Sequence, residues 1–141
     1  MLDEEEYERW IKSSKRTLDS AKGDCERGEY NWVCFKSHQS AELAVKALLH
    51  GLGLHAYGHS ISGLLARKGL RIPQEILQGA KTLDKYYVPT RYPNAWVEGS
   101  PEDYYTHKDA KEAIEYAEAI IKWVEEIWKS LKEERSLGNR F

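Results

Sequence analysis

Apolar residues recur through most of this chain with the spacing of an α-helix. The clearest case lies near the C-terminus, where the spacing predicts a helix from Lys108 to Glu134. No segment alternates apolar and polar residues with the two-residue period of a strand. The pattern therefore predicts an all-α protein. The apolar face of this last helix is formed by Ala110, Ala113, Ile114, Ala117, Ile120, Ile121, Val124, Ile127, Trp128 and Leu131.

The same period predicts three further long helices and one short helix. Gly28 ends the first, Gly51 and Gly53 end the second, and Pro89 follows the last of them, as is typical of helix ends. Ser60 would cap the short helix. We therefore expect an up-and-down bundle of four long helices plus one short helix, in a single domain over residues 1–141. In chain order, these four helices are expected at Asp3–Arg27, Tyr30–Leu52, Ser60–Leu65 and Pro73–Tyr87.

Composition and charge narrow the class of protein. The chain has 141 residues, of which 41% are apolar and 31% charged, as is typical of a globular domain. Its net charge is −2, so no general basic field attracts nucleic acid. No apolar run approaches the roughly 18 residues of a membrane span. The acidic N-terminus lacks the order of a signal peptide. We therefore expect a cytoplasmic protein with no membrane contact.

The residue types that bind metals and cofactors do not form recognisable sets. His50, His55 and His59 are close in sequence, but no cysteine or carboxylate among them completes a ligand set. Cys25 and Cys34 lie on apolar helix faces, which is typical of buried free thiols. Neither a G-x-G-x-x-G segment nor a Walker lysine motif occurs. We expect no metal and no cofactor.

The first stretch that could carry chemistry is KSHQSAELAVKALL, residues 36–49. On a helix, Gln39, Glu42 and Lys46 lie near one face, at spacings of three and four. The ordinary interpretation is a Glu42–Lys46 ion pair at the edge of the bundle.

The second stretch is LDKYYVPTRYPNAW, residues 83–96. Three of the four prolines lie between Val88 and Tyr105, so that part of the chain cannot form a regular helix. Long ordered loops in compact domains are disproportionately functional. Arg91 offers a planar fork suited to phosphate, and Tyr92 or Trp96 could stack on a base. In the alternative interpretation Asp84 pairs with Arg91, and the aromatic rings only pin the loop onto the bundle.

Three motifs together resemble one family. They are GEYNWVCFKSHQSAELAVKALL, GHSISGLL and LDKYYVPTRYPN, in that order, after an early Trp-bearing helix and before a long final helix. This arrangement resembles the small prokaryotic HEPN family from Trp10 to Trp128. The resemblance implies an up-and-down helical bundle that commonly dimerises and is often encoded beside a minimal nucleotidyltransferase. It also implies nucleotide binding, which has been proposed for the family.

Many HEPN proteins are metal-independent ribonucleases, and this chain departs from their signature. That signature is an arginine, a polar residue and, after a short spacer, a histidine, which would polarise the phosphate and move the proton of the ribose 2′-hydroxyl. Arg27 is the nearest arginine before His38, and Arg91 is the nearest before His107, so the gaps are too long. We therefore expect no catalytic residues.

The resulting hypothesis is a nucleotide- or phosphate-binding homodimer that acts with a separate nucleotidyltransferase subunit, in a toxin–antitoxin-like or nucleotide-transfer pair. Five Trp and nine Tyr residues, too many rings for one small core, also favour the dimer. Arg91 would bind phosphate, Tyr92 would stack, Asp84 would orient Arg91, and Lys46 and His59 would add polar contacts. RNA is a less favoured ligand. The alternatives are an RNA-cleaving toxin with a site assembled across the dimer, and an oligomerisation module without a ligand.

Overall fold

A computed structural model describes residues 1–66 and 70–138. Within these residues the regular structure is helical and no strand occurs, which confirms the predicted all-α bundle of four long helices and one short helix. Two short 3₁₀ turns, Pro93–Ala95 and Pro101–Asp103, interrupt the segment before the last helix. The α-helices are α1 Glu4–Glu26, α2 Tyr30–Gly51, α3 Ile61–Ala66, α4 Gln74–Asp84 and α5 His107–Gly138.

Local side chains set the helix ends as the sequence predicts. The Asp3 carboxylate accepts a hydrogen bond from the Glu6 N–H (3.1 Å) at the start of α1. After α1 the chain turns at Gly28, whose φ of +78° lies in the left-handed region that favours glycine. Ser60 caps α3, since its hydroxyl oxygen accepts from the Gly63 N–H (3.0 Å). These ends lie within about a residue of the predicted ones because they depend on neighbouring residues only.

Helix α2 is the central helix, because it packs against α1, α3, α4 and α5. Its Ala41, Ala44 and Ala47 have no exposed surface, as close helix packing requires. The apolar face of α5 closes the core from the other end of the chain, with Ile120 and Val124 fully buried. The core thus joins residues from every α-helix. Whether the whole chain forms one domain stays a prediction.

Gly51 has a different role from the predicted one. It is the last residue of α2 rather than its stop, and a Cβ there would lie 2.5 Å from Cζ3 of Trp128. The indole of Trp128 stacks on Tyr7, with ring centroids 4.2 Å apart. The stop is Gly53, whose φ is +78°. Gly51 therefore provides room for α5 to approach α2 closely.

The segment between α4 and α5 is irregular, as predicted, and is fixed by hydrogen bonds. Helix α4 ends at Asp84, three residues before the predicted Tyr87, because Pro89 cannot donate to a helical carbonyl one turn back and its ring clashes there. The Trp96 indole N–H donates to the Pro89 carbonyl (2.8 Å), and the Thr90 hydroxyl donates to the Tyr86 carbonyl (2.6 Å). These hydrogen bonds, formed within the segment itself, fix its conformation.

Two further findings concern the thiols and the helix lengths. Cys34 is buried as predicted, and burial raises the pKa of its thiol to about 12, whereas Cys25 is only partly buried; both are free. Helix α5 begins one residue before the predicted Lys108 and continues to Gly138, four residues past Glu134, since no breaker comes earlier. None of the helices in residues 1–66 and 70–138 combines the length and hydropathy that a membrane crossing needs.

Candidate ligand-binding site

Three polar side chains of α2 are buried where an ordinary helix would carry apolar ones. His38, Glu42 and Lys46 are 0%, 3% and 8% exposed. They are four residues apart, so they lie on one face of α2. Charged side chains are rarely this buried unless they are paired. Together with His59 we call these side chains the polar cluster.

The Glu42 carboxylate holds two basic side chains. Its Oε2 lies 3.3 Å from Nζ of Lys46, so the predicted Glu42–Lys46 ion pair is present. Its Oε1 lies 3.0 Å from Nδ1 of His59, which comes from the loop before α3. Because a carboxylate only accepts hydrogen bonds, Nδ1 of His59 carries the hydrogen. The buried carboxylate thus joins α2 to the loop that begins the second motif.

His59 is both anchored and accessible. Its side chain is 54% exposed, and its ring stacks on the Tyr87 ring with centroids 4.6 Å apart. The stack and the hydrogen bond of Nδ1 fix the orientation of the imidazole, and neither of them uses Nε2. His59 is therefore the member of the polar cluster that a ligand can reach best.

Arg91 lies on a platform of aromatic rings. Its guanidinium carbon is 4.4 Å from the ring centroid of Phe35, 4.7 Å from that of Tyr87 and 5.0 Å from that of Tyr92. Its Nε donates to the Tyr87 carbonyl (2.9 Å). None of the ion pairs formed by the described part of the chain includes Arg91. The terminal nitrogens of its fork are thus not paired with a carboxylate there.

Asp84 does not have the predicted role of orienting Arg91. Its carboxylate accepts hydrogen bonds from the N–H groups of Ile61 (2.7 Å) and Ser62 (3.1 Å), and from the Ser62 hydroxyl (2.7 Å). Burial alone would raise the pKa of Asp84, but the hydrogen bonds from His38, Ser62 and the backbone lower it to about 2. Asp84 therefore anchors the start of α3, because unpaired N–H groups at a helix N-terminus attract a carboxylate.

His38 connects this anchor to the polar cluster. Its ring has no exposed surface, and its Nε2 lies 2.9 Å from the His59 carbonyl oxygen and 3.4 Å from Oδ1 of Asp84. Both partners are acceptors, so Nε2 carries the hydrogen. The hydrogen bond from His38 therefore holds the main chain of His59, while the hydrogen bond to Glu42 holds its side chain.

Four of the five predicted site residues lie around Glu42 and the Tyr87 ring. Lys46 and His59 share Glu42, while His59 and Arg91 both contact the Tyr87 ring, and Tyr92 is 46% exposed beside Arg91. Asp84 is connected to this group through His38, whose Nε2 lies 3.4 Å from Oδ1 of Asp84. Their role as ligand contacts stays a prediction.

Three residues of the candidate site were not predicted to belong to it, and a fourth residue outside it was suggested for base stacking. Glu42 was assigned only an ion pair, while His38 and Tyr87 were not assigned to the site. The four-residue spacing of the polar side chains at 38, 42 and 46 was the available signal, because it places them on one face of a helix. Trp96, a candidate for base stacking, instead stacks on Tyr104 with centroids 4.0 Å apart, so one of its faces is occupied in pinning the loop.

Comparison with known families decides the class of this protein. A model of the HEPN domain family matches residues 7–127. The chain belongs to the HEPN family. The match includes all three motifs and all four members of the polar cluster. No curated protein matches this HEPN chain.

Solved structures agree with this assignment. A protein of Thermus thermophilus is 40% identical, with a TM-score of 0.83, covering 85% of this chain and 96% of its own. An archaeal HEPN homologue is 46% identical, with a TM-score of 0.74, covering 84% and 94%. A HEPN domain protein of Thermotoga maritima is 36% identical, with a TM-score of 0.71, covering 86% and 98%. The bundle described above is therefore the HEPN fold.

The remaining histidines of this HEPN protein lie in other surroundings. His107, at the start of α5, packs edge-on against Tyr30 with centroids 5.6 Å apart. His50 stacks on Trp10, and burial lowers its pKa. No group of three metal-ligating side chains occurs in residues 1–66 and 70–138. The chemistry that the arrangement supports is anion binding by Arg91 and His59 beside the exposed Tyr92 ring.

Proposed function

We propose that this HEPN protein binds the phosphate groups of a nucleotide with Arg91, and acts as a homodimer with a separate nucleotidyltransferase subunit. The ligand lies against the guanidinium, at the edge of the platform formed by Phe35, Tyr87 and Tyr92. Tyr92 stacks on the base, and His59 and Lys46 belong to the polar side of the same site. Asp84 supports the site through α3 rather than through Arg91.

One observation carries the proposal: the guanidinium of Arg91 is fixed by three rings and a carbonyl, without a carboxylate in the described part of the chain to occupy its fork. A planar guanidinium offers paired N–H groups that match two phosphate oxygens. Aromatic rings around it lower its freedom before binding, so less conformational entropy is lost when the ligand arrives. Exposed Tyr92 adds a surface for a base.

Calorimetry with ATP, adenosine and pyrophosphate tests the proposal. We expect ATP and pyrophosphate to bind and adenosine to bind more weakly. Arg91→Ala should weaken ATP binding by about 1.5–3 kcal/mol, the scale of charge-assisted hydrogen bonds. Arg91→Lys should recover part of the loss, because it keeps the charge but not the fork. Arg16→Ala, at an exposed position of α1, is the matched control.

The result that would remove the proposal is equally direct. If wild type binds no nucleotide, alone or with a nucleotidyltransferase encoded beside it, the oligomerisation module without a ligand becomes the better interpretation. Light scattering at micromolar concentration tests the homodimer separately, and a monomer mass would contradict it. Co-purification with the neighbouring gene product tests the partner.

A second candidate function, RNA cleavage, is favoured by one observation. His59 and Arg91 contact the same Tyr87 ring although they are far apart in sequence. An arginine and a histidine on one site could bind a phosphate and carry a proton. The family's ribonuclease motif is nevertheless missing, so we expect purified protein to leave RNA intact at neutral pH.

The deciding assay incubates structured and single-stranded RNA with the protein in excess chelator. Arg91→Ala, His59→Ala and His107→Ala are assayed alongside wild type. Cleavage by wild type that is lost in Arg91→Ala and in one histidine variant would replace nucleotide binding by the ribonuclease toxin as the preferred function.

A further inference from the structure

We infer that His59 is a second contact to the phosphate group bound by Arg91, and that buried Glu42 is the positioning residue of His59. This inference rests on the proposed function and adds to it a residue, Glu42, that touches no ligand itself.

The first step is the burial of Glu42. Its side chain is 5% exposed, while that of His59 is 54% exposed. A ligand therefore reaches the imidazole far more readily than the carboxylate. Lys46, 11% exposed at its side chain, balances the carboxylate charge from within the bundle. Glu42 can influence a ligand only through the group that it holds.

The second step is the orientation of the imidazole. Glu42 accepts from Nδ1 of His59 at 3.0 Å, and the Tyr87 ring covers one face of the imidazole at 16° to its plane. Two such restraints leave a ring little rotational freedom, and Nε2 is the polar atom that they do not use. A carboxylate that fixes the tautomer of a histidine is a recurrent way to orient the second nitrogen for a task.

The third step is the main chain. His38, fully buried on the same face of α2, donates from Nε2 to the His59 carbonyl at 2.9 Å. The residue after His59 begins the α3 cap held by Asp84, through Ser60 Oγ at 3.2 Å and the Ile61 N–H at 2.7 Å. Backbone and side chain of His59 are thus fixed by separate partners, although the residue lies in a loop.

The last step is the Tyr87 ring, which both basic groups contact. His59 and the Arg91 guanidinium each contact the Tyr87 ring, with centroid distances of 4.6 Å and 4.7 Å. A phosphate bound by the fork of Arg91 has further oxygens to satisfy, and Nε2 of His59 is an anchored polar atom on a ring that contacts the same Tyr87 side chain. Nε2 of His59 contacts a phosphate oxygen as a donor when both ring nitrogens carry hydrogen, and the Glu42 carboxylate then accepts from Nδ1. Because Arg91 and His59 are both anchored, neither has to be ordered on binding.

The test uses pyrophosphate as the probe and calorimetry as the readout. His59→Ala should weaken binding about tenfold, the scale of one hydrogen bond to a charged group. His55→Ala, an exposed histidine four residues earlier that stacks on Tyr57, should leave binding unchanged. Equal affinities of His59→Ala and wild type would overturn the contact.

The positioning role of Glu42 is tested with variants that leave no buried charge without a partner. Lys46→Met/Glu42→Gln and Lys46→Met/Glu42→Leu lack the same lysine and differ only in whether residue 42 can accept from Nδ1 of His59. The leucine variant should bind about tenfold more weakly than the glutamine variant, as expected for loss of the His59 contact. When His59→Ala is added to each, the difference between them should fall below about twofold, since residues that act as a unit are not additive.

A merely structural role for Glu42 would keep that difference in the absence of His59, and this outcome would overturn the positioning role. Nitrogen-15 spectra of ligand-free wild type provide a second readout: Nδ1 of His59 should carry the hydrogen, and the leucine variant should lose this preference. A wild-type Nδ1 without hydrogen would overturn the inference. If wild type binds neither pyrophosphate nor ATP, the proposed function fails, and the phosphate contact of His59 fails with it.

Discussion

The polar cluster and the seam between α1 and α5 use the same residue types in contrasting ways. At the seam, Lys15 pairs with Glu125 at 2.7 Å with side chains 53% and 42% exposed, and Lys22 pairs with Glu118 at 3.5 Å. In the polar cluster, Lys46 and Glu42 are 11% and 5% exposed. Breaking an exposed ion pair costs little stability, because water replaces the lost partner. A buried charge that loses its partner is not hydrated, so the cost in stability is larger.

Concavity and buried polarity also occur in different places. A groove of about 420 Å³ lies at the seam, next to the stacked rings of Tyr7 and Trp128. The charged side chains that line it are exposed or half-buried lysines and glutamates of both signs. In the polar cluster, by contrast, the buried Glu42 carboxylate holds the accessible His59 imidazole, and this imidazole and the Arg91 guanidinium contact the same Tyr87 ring. The comparison teaches that convergent, buried polar groups, more than a groove by itself, mark the candidate site in this bundle.

The largest effect that would sharpen this comparison is expected from Glu42→Ala. The change leaves Lys46 buried without its carboxylate, so the free energy of unfolding should fall by about 3–5 kcal/mol. Urea unfolding followed by circular dichroism measures it. Glu42→Ala/Lys46→Met should recover much of the loss, because it removes the stranded charge. A Glu42→Ala variant as stable as wild type would show that the burial of this pair has no energetic weight.

A smaller, pH-dependent effect is expected from Asp84→Asn. The pKa of Asp84 is lowered from 3.8 to about 2, so its carboxylate stabilises the fold above pH 4 and this contribution disappears as the pH falls towards 2. At about 1.4 kcal/mol per pKa unit, the variant should be about 2 kcal/mol less stable at pH 7.

The difference in stability between wild type and Asp84→Asn should shrink in acid. Urea unfolding at pH 7, 4 and 2.5 follows it. Asp103→Asn, which removes an exposed carboxylate from a 3₁₀ turn, provides a matched control. A constant difference at every pH would show that the anchor on α3 does not depend on the charge of Asp84.

The smallest effect is expected at the seam. Glu125→Gln should change the free energy of unfolding by less than about 1 kcal/mol, because the Lys15–Glu125 pair is exposed. The change should vanish in high salt, which screens exposed charges. Parallel unfolding at low and high salt measures both. A loss as large as that of Glu42→Ala would break the comparison between the two regions.

Local chemistry explains which features could be predicted from the sequence. Glu42 and Lys46 are one helical turn apart, and the Ser60 hydroxyl accepts from the N–H of Gly63, three residues ahead. Both pairings therefore follow from spacing. The end of α4 was predicted too late because Pro89 acts a full turn before its own position. The pairing of Asp84 could not be read in this way, since Arg91 and the start of α3 were both available to it.

The helices, most of their ends, their apolar faces and the HEPN resemblance can be read from the amino-acid pattern, because each depends on residues a few positions apart. Tertiary structure decided which buried carboxylate receives His59, that Asp84 anchors α3 instead of Arg91, and that Arg91 lies on aromatic rings. The contacts of Glu42 with His59, of Asp84 with α3 and of Arg91 with Phe35 join residues 17 or more positions apart, whereas Tyr87 and Tyr92 are close to Arg91 in sequence. Which partner is reached depends on how helices pack and loops close, and no helical period encodes that choice.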